Sequence, residues 1–228
     1  MIVSINQPAY LPWGGYFDRI AKSDLHVVLN HVQFEKNSLV NRNRVLGKGG
    51  PAWLTVPVRT KGRFGELAID TVEIDNSQRW VGKHLKTLQA CYGKTCGFDL
   101  VYSDLEAVLK QEHRTLASLC AATTAKLMAA LEVDVPMVYS RETGITTAKS
   151  QLVLDICRHV EATTYLSGPF GRDYLDLEAF AAAGIAVEFH SWAPEPYDQG
   201  GDGIFDPKVS VIDVLCRCGS AAGMAVFR

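Results

Sequence analysis

Apolar residues recur along this chain in two rhythms, and the rhythms divide it into strands and helices. Ile2-Val-Ser-Ile-Asn6 is short and β-branched and reads as a first strand. A short helix at about residues 16–22 leads to a second strand, His26-Val-Val-Leu29, and Val32 to Lys36 continues toward an edge. Asn41-Arg-Asn-Arg-Val45, the turn Gly47-Lys-Gly-Gly-Pro51 and Trp53-Leu-Thr-Val-Pro-Val58 form a hairpin pattern. Residues 68–74, with Ile69, Val72 and Ile74, read as another strand. Trp80, His84, Leu85 and Leu88 fall at helical spacing, with Ser77 as the expected N-cap and an end near Tyr92-Gly93. Leu105 to Leu131 reads as a long helix, broken once.

The second half alternates more regularly. Residues 136–140, 163–166 and 185–189 read as strands. Helices are expected from Ser150 through Val160, over residues 177–183 with Gly184 as the stop, and over 210–218. Residues 194–207, rich in Pro, Gly and Asp, read as a loop. The alternation predicts an α/β protein: one domain over residues 1–228, with a mostly parallel sheet flanked by helices and an antiparallel hairpin excursion at about 41–74.

Composition narrows the class. Of 228 residues 47% are hydrophobic and 21% charged, and the net charge is −2. That is a globular balance, with no global pull toward nucleic acid or anionic membrane. No apolar run approaches the roughly 18–20 residues of a membrane span, and no signal peptide is visible, so a soluble cytoplasmic protein without membrane insertion is expected. The six cysteines read as free thiols, and their spacing does not suggest a structural metal. The residues name neither a cofactor nor an oligomeric state.

The candidate chemistry begins at Gln7-Pro-Ala-Tyr-Leu-Pro-Trp-Gly-Gly-Tyr-Phe17, which combines two prolines, two adjacent glycines and four aromatic rings. Gln7, Tyr10, Trp13 and Tyr16 there offer hydrogen-bonding and stacking tips for a small molecule, or the aromatics fill the core around a tight turn. Asn41, Arg42 and Arg44 suit a phosphate or diphosphate, or protect an edge strand. Strand alternation puts Arg42 and Arg44 on one face, Asn41 and Asn43 on the other. Ser167 and Arg172 follow a strand end and could hold an anion, or form a solvated turn. His84 shares a helix face with Trp80 and is the candidate general base, or a structural histidine. Tyr197, Gln199 and Asp202 read as a lid or a plain loop. Asp213 pairs with a buried Arg or complements a helix dipole. Nothing near Cys91 predicts a reactive thiolate. No nucleophile elbow, Walker A motif or G-x-G-x-x-G is present.

The opening segment resembles the bacterial WbqC-like family. So do, in collinear order, Asn41-Arg-Asn-Arg44, Trp53-Leu-Thr-Val-Pro57, Trp80-Val-Gly-Lys-His84, Tyr92-Gly-Lys94, Thr164-Tyr-Leu-Ser-Gly168, Asp173-Tyr-Leu-Asp176, Tyr197-Asp-Gln199 and Ser210-Val-Ile-Asp213. Two departures stand out: Asn30 and His31 occupy an expected acidic pair, and Cys91 precedes Tyr92. The resemblance implies a surface-polysaccharide or O-antigen context, with acyl or aminoacyl transfer to an amino sugar and a nucleotide sugar or other phosphorylated small molecule as partner. A more distant likeness is to nucleotidylyltransferase-like enzymes. There Trp13-Gly-Gly-Tyr16 stands in the place of H-x-G-H, and Ser167-Gly-Pro-Phe-Gly-Arg172 in that of the late phosphate turn, with both histidines absent. Carboxylate activation with ATP, or a non-catalytic scaffold, are the alternatives.

Overall fold

The computed structural model describes residues 1–62, 65, 67–200 and 203–227. Two compact units emerge. The first comprises Met1–Gln7, Asp18–His31 and Asp134–Ala193; the second comprises Pro8–Phe17, Val32–Val133 and Pro194–Arg228.

The first unit is a five-stranded sheet with helices. Its strands are β1 (Ile2–Asn6), β2 (Leu25–Val28), β5 (Met137–Tyr139), β6 (Thr164–Ser167) and β7 (Ala186–Phe189). Their order is β5-β2-β1-β6-β7, and every pairing is parallel. The helices are α5 (Lys149–His159), α6 (Leu177–Ala182) and the latter half of α1 (Gly14–Ala21). Both faces of the central strands are buried, as a parallel sheet requires, so Val3, Ser4 and Ile5 are all interior. Tyr165 stacks on Phe180 of α6 at 5.8 Å between centroids. Gly184 stops that helix with φ 73°, a conformation that suits glycine. Within the sheet His26 is fully buried, its Nδ1 2.8 Å from Ser4 Oγ. Burial pushes its pKa down to about 3, with the positive charge of Arg19 adding to the effect.

The second unit holds the hairpin of β3 (Arg42–Gly47) and β4 (Gly50–Thr55), with α2 (Trp80–Tyr92), α3 (Phe98–Lys110), α4 (Leu116–Ala130), α7 (Ile212–Cys218) and α8 (Ala222–Val226). The hairpin is antiparallel and closes through Gly50 at φ 97°. The expected α/β class, parallel sheet and separate antiparallel hairpin are all present.

Three local expectations need correction. Residues 68–74 form a 3-10 turn at Ile69–Thr71. Ile69 and Val72 stand three apart, a 3-10 spacing, and the Thr71 hydroxyl donates to the Ala68 carbonyl. Residues 32–36 form no strand; Gln33 makes a single bridge to Ala68. The expected single break in the helix over 105–131 is present: α3 ends at Lys110, and Thr115 caps α4 by accepting from Ser118 N. Ser77 does not cap α2. Asp75 takes the Ser77 hydroxyl at 2.6 Å and the Gln78 amide at 2.8 Å, and the helix begins at Trp80.

Candidate functional site

In the first unit the chain runs from β1 to β2 to β5 on one side, then crosses to β6 on the other side of β1. This reversal is a topological switch point, where open α/β sheets receive ligands beyond the carboxyl ends of the strands. Past the last register pair, Ser4–Leu166, come Ile5-Asn6-Gln7 on one strand and Ser167-Gly168 on the other. Gln7 is exposed there, and Ser167 is 1% exposed with its hydroxyl 3.1 Å from the Gly168 carbonyl. Arg19, on α1, hydrogen-bonds Asn6 Oδ1. A Cβ on Gly168 would sit 2.4 Å from Arg19 Nη1, so glycine at 168 makes room for the guanidinium. Arg172 is exposed, with its guanidinium 4.1 Å above the Phe189 ring.

A histidine–carboxylate pair adjoins this edge. His190, just past β7, donates its main-chain N–H to the Ser167 carbonyl at 2.8 Å. Its Nε2 lies 2.6 Å from Oδ2 of Asp18, which is fully buried. Lys22 Nζ reaches the same oxygen at 2.8 Å, and Asp18 Oδ1 has no protein hydrogen-bond partner among the described residues. In a neutral ring that donates Nε2–H to the carboxylate, Nδ1 is left as the proton acceptor. The sequence reading missed Asp18, Arg19 and His190. The available signal was a histidine directly after a strand in a parallel sheet. At the end of β2, Asn30 and His31 bind Ser140, with His31 Nδ1 2.7 Å from its hydroxyl.

The remaining expected residues belong to the second unit. Tyr10 and Tyr16 are 0% and 2% exposed. Neither offers a face to a ligand, which corrects the expectation of stacking surface at those two positions; they pack the core. Trp13 is half-buried, edge-on to Tyr16 at 5.7 Å. Two residues before Trp13, Leu11 takes φ 48°, unusual for a non-glycine residue. The Leu11 carbonyl accepts from Asn43 Nδ2 at 2.7 Å, and the Pro12 carbonyl from Val211 N at 2.8 Å. Asn41 is 3% exposed and donates to the Val56 carbonyl. Asn41 and Asn43 therefore face inward as scaffold, not toward a phosphate.

Arg42 and Arg44 share the opposite face, with their guanidinium carbons 4.3 and 5.7 Å from the Trp53 ring centroid. Arg44 also pairs with Asp206 at 3.1 Å. Gln199 bonds Asp206 in both directions and reaches Tyr197. The Tyr197 hydroxyl donates to Asp213 at 2.8 Å, which pins this part of the loop; Asp202 lies outside the described residues. Asp213 is fully buried and also accepts from the Tyr92 hydroxyl and Arg217 Nε, each at 2.9 Å. Burial raises the Cys91 pKa, the wrong direction for a thiolate nucleophile.

His84 is 5% exposed and its Nδ1 is 2.9 Å from the Tyr10 hydroxyl. Burial pushes its pKa down to about 4, against an opposing hydrogen bond with the Thr55 main chain and with help from Lys83. A histidine so placed is neutral at pH 7 and a weak base. It borders a cavity of about 520 Å³ between β4 and the first turns of α2.

A model of the WbqC-like protein family matches residues 7–224. The chain is 31% identical over 222 residues to the uncharacterized protein Rv1507c of Mycobacterium tuberculosis, covering 96% of this chain and 95% of that one. No solved structure matches. None of the helices among the described residues is long and apolar enough to cross a membrane. The match over nearly the whole chain makes it a member of the WbqC-like protein family.

Proposed function

We propose that this chain is a cytoplasmic transferase that forms an amide on an amino-sugar nucleotide, moving an acyl or aminoacyl group in bacterial surface-polysaccharide biosynthesis. The family resemblance supports the context. The observation that carries the reading is the carboxyl edge of the parallel sheet, where Arg19, Ser167 and Gly168 gather at the β1–β6 switch point. A guanidinium and a hydroxyl beside a glycine suit diphosphate oxygens, because arginine binds them as a fork and glycine lets the main chain come close. Gln7 at the same edge can bond a sugar hydroxyl.

In this reading His190 is the base, in place of His84, whose pKa is pushed down to about 4. Asp18 holds the imidazole tautomer, as in other carboxylate–histidine pairs. The sugar amine attacks the acyl carbon and its proton passes to His190 Nδ1. The C–N bond forms, the bond to the acyl carrier breaks, and His190 returns the proton to the departing carrier.

The test is a thermal-shift series with nucleotide-linked amino sugars, followed by mass spectrometry after adding acyl or aminoacyl donors. A ligand bound only by the native state raises Tm. The expected result is a shift that Ser167→Ala reduces, and an amide product that His190→Asn abolishes while keeping the shift. Absence of a shift with every nucleotide sugar, together with no mass gain, rejects the reading. The strand order favours one second reading, activation of a carboxylate with ATP, since nucleotides also bind at such switch points. That reading requires ATP–pyrophosphate exchange, and its absence in the presence of carboxylates removes it.

A further inference from the structure

The cavity of about 520 Å³ in the second unit has a consistent chemistry that the transferase reading leaves unused. Trp53 and Thr55 of β4 form one wall; Trp80, Lys83 and Lys86 of α2 form the other. Trp53 is 49% exposed, unusual for so large an apolar ring. On the hairpin, Arg42 covers Trp53 at 4.3 Å, and the buried Arg42 Nε has no hydrogen-bond partner among the described residues. None of the lining residues is acidic, and neither Lys83 nor Lys86 has a carboxylate partner among the described residues.

We propose that this cavity binds a nucleoside monophosphate, with the base stacked on Trp53 and the phosphate between Lys83 and Lys86. A half-exposed indole is a platform for any planar base. Two ammonium groups with no carboxylate partner among the described residues, beside a concave wall of mixed polar and apolar surface, call for an anion. Thr55, Gln78 and Thr87 supply neutral hydrogen-bonding groups for the ribose and the base edge. The inference concerns the second unit alone and does not depend on the transferase reading.

Isothermal titration of the full chain with uridine and adenosine monophosphates tests it. Both probes are expected to bind. Trp53→Ala and the double variant Lys83→Glu/Lys86→Glu should each weaken binding by about tenfold or more, as loss of one base stack or a phosphate clamp does. Uridine without phosphate should bind at least about tenfold more weakly. All three substitutions are at exposed positions, so the variants should fold. Several outcomes overturn the proposal: no heat from either nucleotide, equal binding of 4-hydroxybenzoate, or affinity unchanged by Trp53→Ala. Binding that survives Trp53→Ala but disappears in Gly168→Ala assigns the nucleotide to the sheet edge, overturning this proposal while leaving the transferase reading intact.

Discussion

Replacing Asp213 with alanine should destabilise the protein by about 3–5 kcal/mol, the range for breaking a buried pair and stranding its donors. The figure follows from the partners. Asp213 is fully buried and accepts from the Tyr92 and Tyr197 hydroxyls and from Arg217 Nε. Arg217 keeps a second acceptor, the Leu46 carbonyl at 3.2 Å, so its loss is at the low end. Both tyrosine hydroxyls lose an acceptor, and a buried donor left unpaired costs about 1–3 kcal/mol. Tyr92 is held further by the Leu46 N–H at 2.9 Å, so it cannot swing out to water without breaking a main-chain bond. Urea unfolding measures the change, with an unaltered m-value marking an effect on stability alone. Tyr92→Phe and its combination with Asp213→Ala complete a double-mutant cycle. The two losses should be strongly non-additive, because they share one hydrogen bond. A loss under about 1 kcal/mol in Asp213→Ala, less than one stranded donor costs, refutes the claim that this carboxylate organises the C-terminal loop.

Two further predictions concern a glycine and the histidines. Gly168→Ala should cost about 1–3 kcal/mol, since its Cβ would press on a guanidinium that is 7% exposed. Gly82→Ala, in open space on α2, should instead stabilise by about 0.5–1 kcal/mol in the same urea assay, and equal effects at the two sites contradict the packing argument. The pH dependence follows from His84, whose folded pKa of about 4 lies below the ordinary 6.5. Between those values the unfolded chain binds the extra proton, so stability is full above pH 6.5 and falls as pH drops toward 4, by about 3 kcal/mol from this group. His26, pushed down to about 3, acts in the same direction over a longer range. His84→Gln should flatten the slope of stability against pH in that window; an unchanged slope assigns the acid sensitivity elsewhere.

What could be read in the sequence was whatever local periodicity controls. The α2 helix, the hairpin and the strands of the second half follow from spacing and from glycine turns. The alternation that set Arg42 and Arg44 opposite Asn41 and Asn43 also followed from strand geometry alone. The 3-10 turn at Ile69 was not legible, because three apolar residues within six positions fit more than one period. Tyr10 and Tyr16 looked like ligand-facing rings since a sequence shows side-chain types and not which side of a bend is enclosed. Asp18 and His190 stand 172 positions apart, and only the sheet order brings them together. Their residue types were visible throughout; their partnership was not.

The two units are threaded through the chain in alternation. The first needs residues up to 193, and the second takes its parts from residues 8–17, 32–133 and 194–228. The Pro12 carbonyl accepts from the Val211 N–H, and the main chain at Trp13 bridges Ser210. During vectorial synthesis at about 5–20 residues per second, the N-terminal segment must wait tens of seconds before Val211 emerges from the ribosome. In that interval its aromatic rings have no finished interior to enter. Nascent chains of this protein should therefore lean on chaperones until translation is nearly complete, and production at lower temperature should favour the soluble form.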